Sequence, residues 1–308
     1  MPTINRDNGK ALFSICNGVK EYDDHRFWVY TSNGLFLLDV RKNSFERIML
    51  NEQEDTLHGF FINNVNDYLS TEQVLVTTDG GGTYVIDKGK RKVNIEASQE
   101  FINAAGNSFL VCAKKDDRNT VWASTINKQL VAVDLNKMKR KPFEVDKKAE
   151  AMLTASVAQT ICQCGEKVYF GLSQGLLVYD NATNTVRAVE GLNCTVKALS
   201  TSNDGKLYVG TDSYGIWVLD PKDDSISMYR NASAPFDLRY AKVSDLIEDA
   251  SGNLMVEVMQ KGLLVIPNNK GAFALKGLSP ADDGKNISCV TSIAFGNDGS
   301  QWAGTDGL

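Results

Sequence analysis

Hydrophobic and polar positions alternate along the chain as short apolar runs separated by glycine, asparagine and aspartate. Each run has four or five residues rich in valine, leucine and aromatic side chains, and a turn containing Gly, Asn or Asp joins it to a second such run. Gly and Asn readily supply the positive φ that a tight hairpin turn requires. The pattern predicts strand, turn and strand, because amphipathic helices would show apolar positions about every 3.6 residues.

This strand–turn–strand pattern occurs seven times. Its copies begin at residues 27, 74, 121, 168, 207, 254 and 301, so five of the six intervals are 47 residues and one is 39. Examples are FWVYTSNGLFLLD from Phe27, VYFGLSQGLLVYD from Val168 and LYVGTDSYGIWVLD from Leu207. The last copy, QWAGTDGL from Gln301, ends with the chain. Such a constant register predicts a repeat architecture.

Two further strands are predicted beside each pair. Upstream, a first strand begins at Val196, Val243 and Val290, which are again 47 residues apart, and ends in an Asp-Gly or Ser-Gly turn. Downstream, a weaker fourth strand is predicted at 44–50, 225–231 and 272–278. Four antiparallel strands in a unit of about 47 residues are typical of a β-propeller blade.

We therefore predict an all-β fold: a β-propeller of four-stranded antiparallel blades, with seven repeat units of which the last is incomplete. The propeller is expected to occupy residues 1–308 as a single domain. Because a closed ring needs the outer strands that the last copy lacks, we also expect the chain to be a fragment of a longer one.

The repeats resemble those of a known family. The segments VKALSTSNDGKLYVGTDSYGIWVLD and VSDLIEDASGNLMVEVMQKGLLVI are similar to the two-component regulator propeller repeat, V-x-x-I-x-x-D-x-x-G-x-L-W-V-G-T-x-x-x-G-L-x-V-x-D. The small residue of the G-T pair is kept in some copies and replaced in others: Gly171, Gly210 and Gly304, against Tyr30, Thr77, Ser124 and Glu257. The resemblance covers essentially the whole chain.

This resemblance implies the periplasmic sensor region of a hybrid two-component system histidine kinase, a non-enzymatic domain that detects oligosaccharide or polysaccharide fragments. A parent chain of this family would add a signal peptide, a second propeller, an immunoglobulin-like domain, a membrane helix and the kinase. The expected partners are an oligosaccharide and a second propeller in a homodimer, with the membrane reached only through those other parts.

Composition narrows the choice of partner and cofactor. A net charge of −5 over 308 residues argues against a general nucleic-acid binder. With only His25 and His58 in the chain, we expect neither a metal site nor a cofactor. Cys162 and Cys164 form a C-x-C on a predicted strand and share one face; they are either a soft-metal or redox pair or small buried core residues.

Candidate ligand-binding residues come from the longest connectors, 51–64 and 232–242, from the turn TDSYG and from one unusual position in the sixth repeat. They are His58, Phe60, Phe61, Tyr214, Phe236, Arg239, Tyr240 and Glu257. An aromatic ring covers the apolar face of a pyranose, and charged groups bond its hydroxyls or a uronate. The alternative is that the aromatic rings fill the channel or pack between blades, and that Glu257 is a solvated substitution.

A second candidate surface is a basic arc on the opposite face. The runs DKGKRK at 87–92 and NKMKRK at 136–141 occupy equivalent outer hairpins, next to RKNSFER at 41–47. The residues that would bind an anionic glycan there are Lys90, Arg91, Lys139 and Arg140. The alternative is that these charges belong to ordinary solvated turns and discourage the strand edges from pairing with another chain.

The chain has no H-E-x-x-H motif and no P-loop. The sequence therefore favours a binding or sensing domain over an enzyme. Two alternatives remain open, a propeller scaffold for protein–protein interaction and a propeller lyase that uses Asp, Glu and Tyr.

Overall fold

The described strands of residues 16–266 form six mostly antiparallel sheets in succession, the blades of a β-propeller. The computed structural model describes residues 16–51, 59–68, 70–230, 237–268, 290–295 and 301–305, the last two ranges by their backbone. The chain divides into two compact units, Met1–Pro267 and Asn268–Leu308, and all six blades lie in the first. The prediction of one domain over 1–308 stays a prediction.

The first three blades have four strands each. Blade 1 is β1 (Cys16–Asp23), β2 (Arg26–Thr31), β3 (Gly34–Asp39) and β4 (Ser44–Ile48). Blade 2 is β5 (Ile62–Asp67), β6 (Gln73–Thr78), β7 (Thr83–Asp87) and β8 (Lys92–Val93). Blade 3 is β9 (Leu110–Lys115), β10 (Thr120–Thr125), β11 (Leu130–Asp134) and β12 (Lys139–Arg140).

The next three blades vary in strand number. Blade 4 joins β13 (Glu144–Val145), in parallel, to the outer edge of β14 (Thr160–Cys164), β15 (Lys167–Leu172), β16 (Gly175–Asp180) and β17 (Thr185–Ala188). Blade 5 is β18 (Val196–Thr201), β19 (Leu207–Thr211), β20 (Ile216–Asp220) and β21 (Ser225–Met228). Blade 6 has three described strands, β22 (Val243–Glu248), β23 (Leu254–Val258) and β24 (Gly262–Ile266).

The second unit contains one described hairpin, β25 (Val290–Phe295) with β26 (Gln301–Thr305). Its register shifts between Val290 and Ser292, and the same shift occurs at the start of the first hairpin in blades 1, 2, 3, 5 and 6. A β-bulge that recurs at the same position of successive repeats is a regular feature of the fold rather than a local distortion.

The strand pairs predicted from the repeat correspond to the second and third strands of the six blades. The fourth strands predicted at 44–50 and 225–231 contain β4 and β21. The segment 272–278 lies outside the described residues. Two helices were not predicted: α1 (Ile95–Ala104) after blade 2 and α2 (Lys147–Ala155) after blade 3.

Both helices begin at a side-chain cap. The Asn94 side chain accepts a hydrogen bond from the Ala97 N–H at 3.0 Å, and Asp146 accepts one from Ala149 at 2.6 Å. Such caps satisfy a backbone donor that the first helical turn leaves unpaired. The fourth strands that precede the helices are correspondingly short, with two residues in β8 and two in β12.

The core lies between the blades. Five clusters of buried side chains fill the interfaces of blades 1–2, 2–3, 3–4, 4–5 and 5–6. In the interface of blades 3 and 4, the Trp122 ring packs against Phe170 and Tyr179, with centroid distances of 5.7 and 4.2 Å. The first strand of each blade contacts the first strand of the next, from β1 through β22, so these strands surround a common axis.

Candidate functional site

One end of the blades carries a hydrogen bond that repeats along the propeller. The residue that opens the turn between the second and third strands donates its backbone N–H to the carbonyl of the residue before the first strand. The pairs are Asp79 to Phe61 (2.9 Å), Ile126 to Phe109 (3.1 Å), Asp212 to Thr195 (2.9 Å) and Met259 to Lys242 (2.9 Å). We call this end of the blades the rim.

The rim carries several exposed apolar side chains. Six large ones, between 40% and 73% exposed, are Phe61, Phe109, Ile126, Tyr214, Tyr240 and Met259. Scattered exposed apolar residues are normal in proteins, but a contiguous set is typical of a binding surface.

The rim between blades 5 and 6 brings three predicted site residues together. Tyr214 lies in the β19–β20 turn, and Gly215 beside it adopts a φ of +66°. A Cβ at Gly215 would lie 2.1 Å from the Leu238 carbonyl oxygen, so the turn packs directly on the 3₁₀ helix Leu238–Tyr240. That helix carries Arg239 and Tyr240, two of the candidate ligand-binding residues of the connector 232–242.

Arg239 is held by its neighbour Asp237. Its backbone N, Nε and Nη2 donate to the carboxylate at 2.7–3.0 Å, and the guanidinium lies 5.8 Å from the Tyr240 ring centroid. The hydrogen bond from Arg239 is the main reason that the pKa of Asp237 falls to about 2. The pair is therefore oriented in advance, and a ligand acid would compete with Asp237 for the guanidinium.

Phe60 and Phe61 have different environments. The Phe60 ring stacks on Tyr84 with centroids 6.4 Å apart, and a Cβ on Gly81 would lie 2.3 Å from it. Phe60 therefore packs within the structure, as the alternative interpretation predicted, whereas Phe61 is exposed on the rim. His58 and Phe236 lie outside the described residues.

Glu257 faces a second carboxylate. It is exposed on β23 and lies directly opposite Asp245 on β22. Although Asp245 as a residue is exposed, crowding of its carboxyl by protein atoms raises its pKa. Like charges in this cross-strand position are unfavourable.

Side chains of blades 1 and 6 come within electrostatic reach near the axis, which the sequence did not predict. Burial raises the pKa of Tyr30 to about 12, and the Asp245 carboxylate of blade 6 adds to the shift. The available signal was Tyr30 itself, a large residue where three other repeats have glycine.

Phe109, Ile126 and Met259 are rim residues that the sequence prediction missed. Phe109 precedes its first strand as Phe61 does, and Ile126 and Met259 occupy the turn position of Asp79. An alignment of the repeats at these two positions, rather than a search of the longest connectors, would have found them.

The residues of the predicted basic arc differ in their pairing. Arg91 forms an ion pair with Glu46 of blade 1, and Lys90 Nζ lies 3.9 Å from Asp87. Lys139 and Arg140 are exposed on β12. The first two charges are thus partly neutralised by neighbours.

The two cysteines of the C-x-C pack against blade 5. Cys164 Sγ donates to the Gly205 carbonyl at 3.4 Å, and Cys162 Sγ lies 3.5 Å from Thr201 Oγ1. Burial raises the pKa of both thiols, to about 11 for Cys164. Thiols with raised pKa values, one buried and one half-buried, fit the core interpretation better than a metal or redox pair.

Two features, a metal-ligand cluster and a membrane-spanning helix, do not occur in the described ranges. No group of three or more His, Cys, Asp and Glu side chains there is placed to hold a metal ion. No helix in the same ranges combines the length and apolar character of a membrane-spanning helix.

By fold, the chain is a β-propeller similar to extracellular domains of bacterial sensor systems. It matches the extracellular domain assigned to hybrid two component system BT3049 of B. thetaiotaomicron with a TM-score of 0.66 and 18% identity, over 98% of this chain and 40% of that one. The extracellular domain assigned to hybrid two component system BT4673 of the same organism matches with a TM-score of 0.64 and 15% identity, over 98% and 38%.

A third similar structure is PorZ, a surface component of the type-IX secretion system of Porphyromonas gingivalis. Its TM-score is 0.57 at 13% identity, over 92% of this chain and 35% of that one. No protein-family model and no curated protein matches the chain. The chain spans about two fifths of the length of these structures, and at such identities the likeness shows the fold alone.

Proposed function

We propose that the chain is a non-enzymatic, periplasmic ligand-sensing domain of a bacterial two-component signalling protein, and that it binds oligosaccharide at the rim. The observation that carries the proposal is the set of four exposed aromatic rings there, Phe61, Phe109, Tyr214 and Tyr240. The similarity in fold to extracellular domains of sensor systems supports the class of protein.

The rim offers both kinds of contact that a sugar needs. Tyrosine and phenylalanine rings cover the apolar C–H face of a pyranose, and tyrosine adds a hydroxyl group. The Asp237–Arg239 pair supplies oriented donors and acceptors for sugar hydroxyls beside Tyr240. An already ordered polar pair loses little side-chain entropy on binding.

The proposal includes a seventh repeat unit. The β25–β26 hairpin repeats the register shift of the first hairpin in five blades, and its second strand begins at Gln301, where the 47-residue spacing predicts one. We propose that this hairpin forms the first two strands of a seventh blade.

A sensor must convert binding into a conformational preference. The ligand shifts an equilibrium only if it binds the two states unequally. We propose that the domain acts as a homodimer whose two arrangements present different rim surfaces.

The proposal is tested by calorimetry and thermal shift of the chain against neutral, uronate and sulfated oligosaccharides. We expect a selective ligand whose affinity falls about tenfold, or 1.4 kcal/mol, in Tyr240→Ala and in Arg239→Ala. Ile95→Ala, an exposed apolar residue on α1, is the matched control and should leave the affinity unchanged.

Other outcomes redirect or contradict the proposal. Loss of binding on neutralising Lys90, Arg91, Lys139 and Arg140, with the rim variants unaffected, would move the site to the basic arc. Absence of binding across the whole panel would contradict the saccharide proposal. Turnover of any glycan would contradict the non-enzymatic one.

The second candidate function is a scaffold for protein partners. Phe109 and Ile126 are both more than half exposed, at 55% and 56%, and are joined by a backbone hydrogen bond. An aliphatic side chain has no ring face for a sugar, so this pair favours a protein surface. Phe109→Ala would then weaken a protein complex while leaving saccharide affinity unchanged.

A further inference from the structure

A cleft of about 610 Å³ opens at the rim, between the β10–β11 turn of blade 3 and the helix α2 that leads into blade 4. The turn contributes Asn127, Lys128 and Gln129 to its lining, and the helix contributes Glu150 and Thr154. The volume is in the range of small-ligand sites.

The cleft exists because the fourth strand of blade 3 leaves its sheet early. In blade 4 the Leu176 carbonyl accepts a hydrogen bond of 2.9 Å from the Val189 N–H, beyond the fourth strand. Leu130 holds the equivalent position in blade 3, because each of the two leucines lies opposite the first position of the G-T pair. In blade 3 the last such bond is one pair earlier, from Lys141 N to Ala132 O at 2.7 Å. The chain then crosses to blade 4, and the edge of β11 beside the turn stays uncovered.

Three polar side chains of the cleft are available to a ligand. Those of Asn127, Gln129 and Glu150 form no hydrogen bond or ion pair with any residue in the described ranges, and all three residues are exposed. Lys128 is held in place, since its Nζ donates to the Thr154 carbonyl at 2.9 Å. An ammonium group has three donors, so two remain for a ligand.

These groups match the hydroxyl groups of a sugar. An amide side chain both donates and accepts, a carboxylate only accepts and an ammonium only donates. A hydroxyl group does both, so each of these side chains can bond one. A ligand carboxylate only accepts, and it would be repelled by Glu150.

The charges that reach the cleft are balanced. Lys128 and Glu150 contribute one charge of each sign. Arg140 also borders the cleft, but its guanidinium lies on the α1 side of blade 3, where Nη1 would be 3.5 Å from a Cβ on Gly106. Arg140 and Gly106 line a separate hollow beside α1. The cleft therefore favours a neutral ligand over an anionic one.

The apolar part of the cleft is firmly packed. Leu130 and Leu153 belong to the buried cluster between blades 3 and 4. The Phe143 ring packs on Trp122 and Tyr179, with centroids 5.4 and 6.3 Å away. Such a fixed surface can cover the apolar C–H groups of a pyranose and loses little side-chain entropy on binding.

The cleft continues the rim surface on which the saccharide proposal rests. Its turn begins at Ile126, whose N–H donates to the Phe109 carbonyl at 3.1 Å. Phe109 carries one of the four exposed rings of the rim. A saccharide that lies on this ring is therefore next to the turn that forms one wall of the cleft.

We propose that the cleft is a saccharide subsite of the rim and that it takes a neutral, hydroxyl-rich sugar unit. Asn127, Gln129 and Glu150 bond its hydroxyl groups, and Leu153 and Phe143 cover its C–H face. This inference rests on the proposed function, because it assumes that the rim binds saccharide. It adds where one sugar unit binds and that this unit is neutral rather than a uronate or a sulfated sugar.

The probes are short neutral oligosaccharides of glucose, galactose, mannose and xylose, with oligogalacturonates as the anionic counterpart. Hydrogen exchange of the segment 126–130 should slow with a neutral probe and not with the oligogalacturonates. In calorimetry, Glu150→Gln and the double variant Asn127→Ala/Gln129→Ala should each weaken the neutral probe about tenfold. Glu150→Gln should also reduce the preference for the neutral probe over the anionic one, which a merely structural role of Glu150 would not do.

Glu144→Gln is the matched control, because Glu144 is an exposed carboxylate on β13 that does not line this cleft. It should leave affinity and exchange unchanged. If a neutral probe binds and is weakened by Tyr240→Ala, but Glu150→Gln and the exchange of 126–130 show no effect, this inference is overturned and the proposed function stands. Equal protection of 126–130 by oligogalacturonates would also overturn it. If no saccharide of either kind binds at millimolar concentration, the proposed function fails and the subsite with it.

Discussion

Gly18 and Tyr30 show how one residue position shapes the propeller interior. They are cross-strand partners in blade 1, and a Cβ on Gly18 would lie 2.2 Å from the Tyr30 hydroxyl oxygen. In blade 4 the small member of the pair is instead on the second strand, where Gly171 lies opposite Thr160, and in blade 5 both members, Ala198 and Gly210, are small. Relative to blade 4, blade 1 has thus exchanged the larger and the smaller residue across the strands, which makes room for Tyr30.

We expect Gly18→Ala to lower the free energy of unfolding by about 1–3 kcal/mol, because the new methyl group overpacks against Tyr30. In a Tyr30→Ala background the same change should cost less than about 0.5 kcal/mol. Urea denaturation of the four proteins measures the coupling. Gly89→Ala, where a Cβ meets no atom within 4 Å, is the control. An equal cost in both backgrounds would contradict the proposed exchange.

At the scale of elements, a buried ionic network joins blade 4 to the outer turn of blade 5. Asp224 accepts hydrogen bonds from Lys167 Nζ and Tyr169 Oη at 3.0 Å and forms an ion pair with Arg187. Burial by itself raises the pKa of Asp224, but these hydrogen bonds outweigh it and the net shift is downward. The carboxylate is thus stabilised by the interface that it helps to form.

We expect Asp224→Asn to cost about 3–5 kcal/mol of unfolding free energy at pH 7, because Lys167 would be left buried without its counter-charge. Since the folded pKa is lowered, the Asp224 contribution is full above the ordinary value near 4 and is lost as the pH falls through the folded pKa. The difference in unfolding free energy between wild type and Asp224→Asn should therefore become smaller in acid.

Urea denaturation at several pH values from 7 down to 3 tests this. The control is Glu190→Gln, which removes an exposed ion pair with Lys148 and should cost about 0–1 kcal/mol. A gap between wild type and Asp224→Asn that stayed constant below pH 4 would show that the Asp224 charge is not the cause.

At the scale of the whole molecule, stability is divided among interfaces between successive blades. Each buried cluster joins two neighbours, so substitutions in distant interfaces share no contacts. In repeat architectures the total free energy of unfolding is close to the sum of the stabilities of the repeats and of the interfaces between neighbouring repeats.

We expect Ile86→Val in the blade 1–2 interface and Ile216→Val in the blade 5–6 interface to cost about 0.5–1.5 kcal/mol each and to add within about 0.5 kcal/mol. The comparison pair, Ile86→Val with Ile62→Val, lies in one cluster and should deviate from additivity. The midpoints and slopes of urea denaturation curves for the single and double variants test whether the costs add. Strong coupling between the distant pair would contradict independent interfaces.

Much of the fold was predictable because its signals are local. The alternation of apolar and polar residues and the glycine turns are set by neighbours within one hairpin, and the 47-residue spacing repeats that signal. The second and third strands of six blades were therefore located correctly. The caps Asn94 and Asp146 were equally local signals, and they identify helices that the strand repeat concealed.

What the sequence alone determined is the propeller: six successive blades follow from periodic patterns in which each strand specifies its own pairing. Only the tertiary structure decided which side chains are free to act. Phe60 packs on Tyr84 while Phe61 is exposed, and Arg239 is paired with Asp237. These outcomes depend on contacts between residues of different strands, turns and blades, where burial and pairing follow from three-dimensional packing rather than from the residue type.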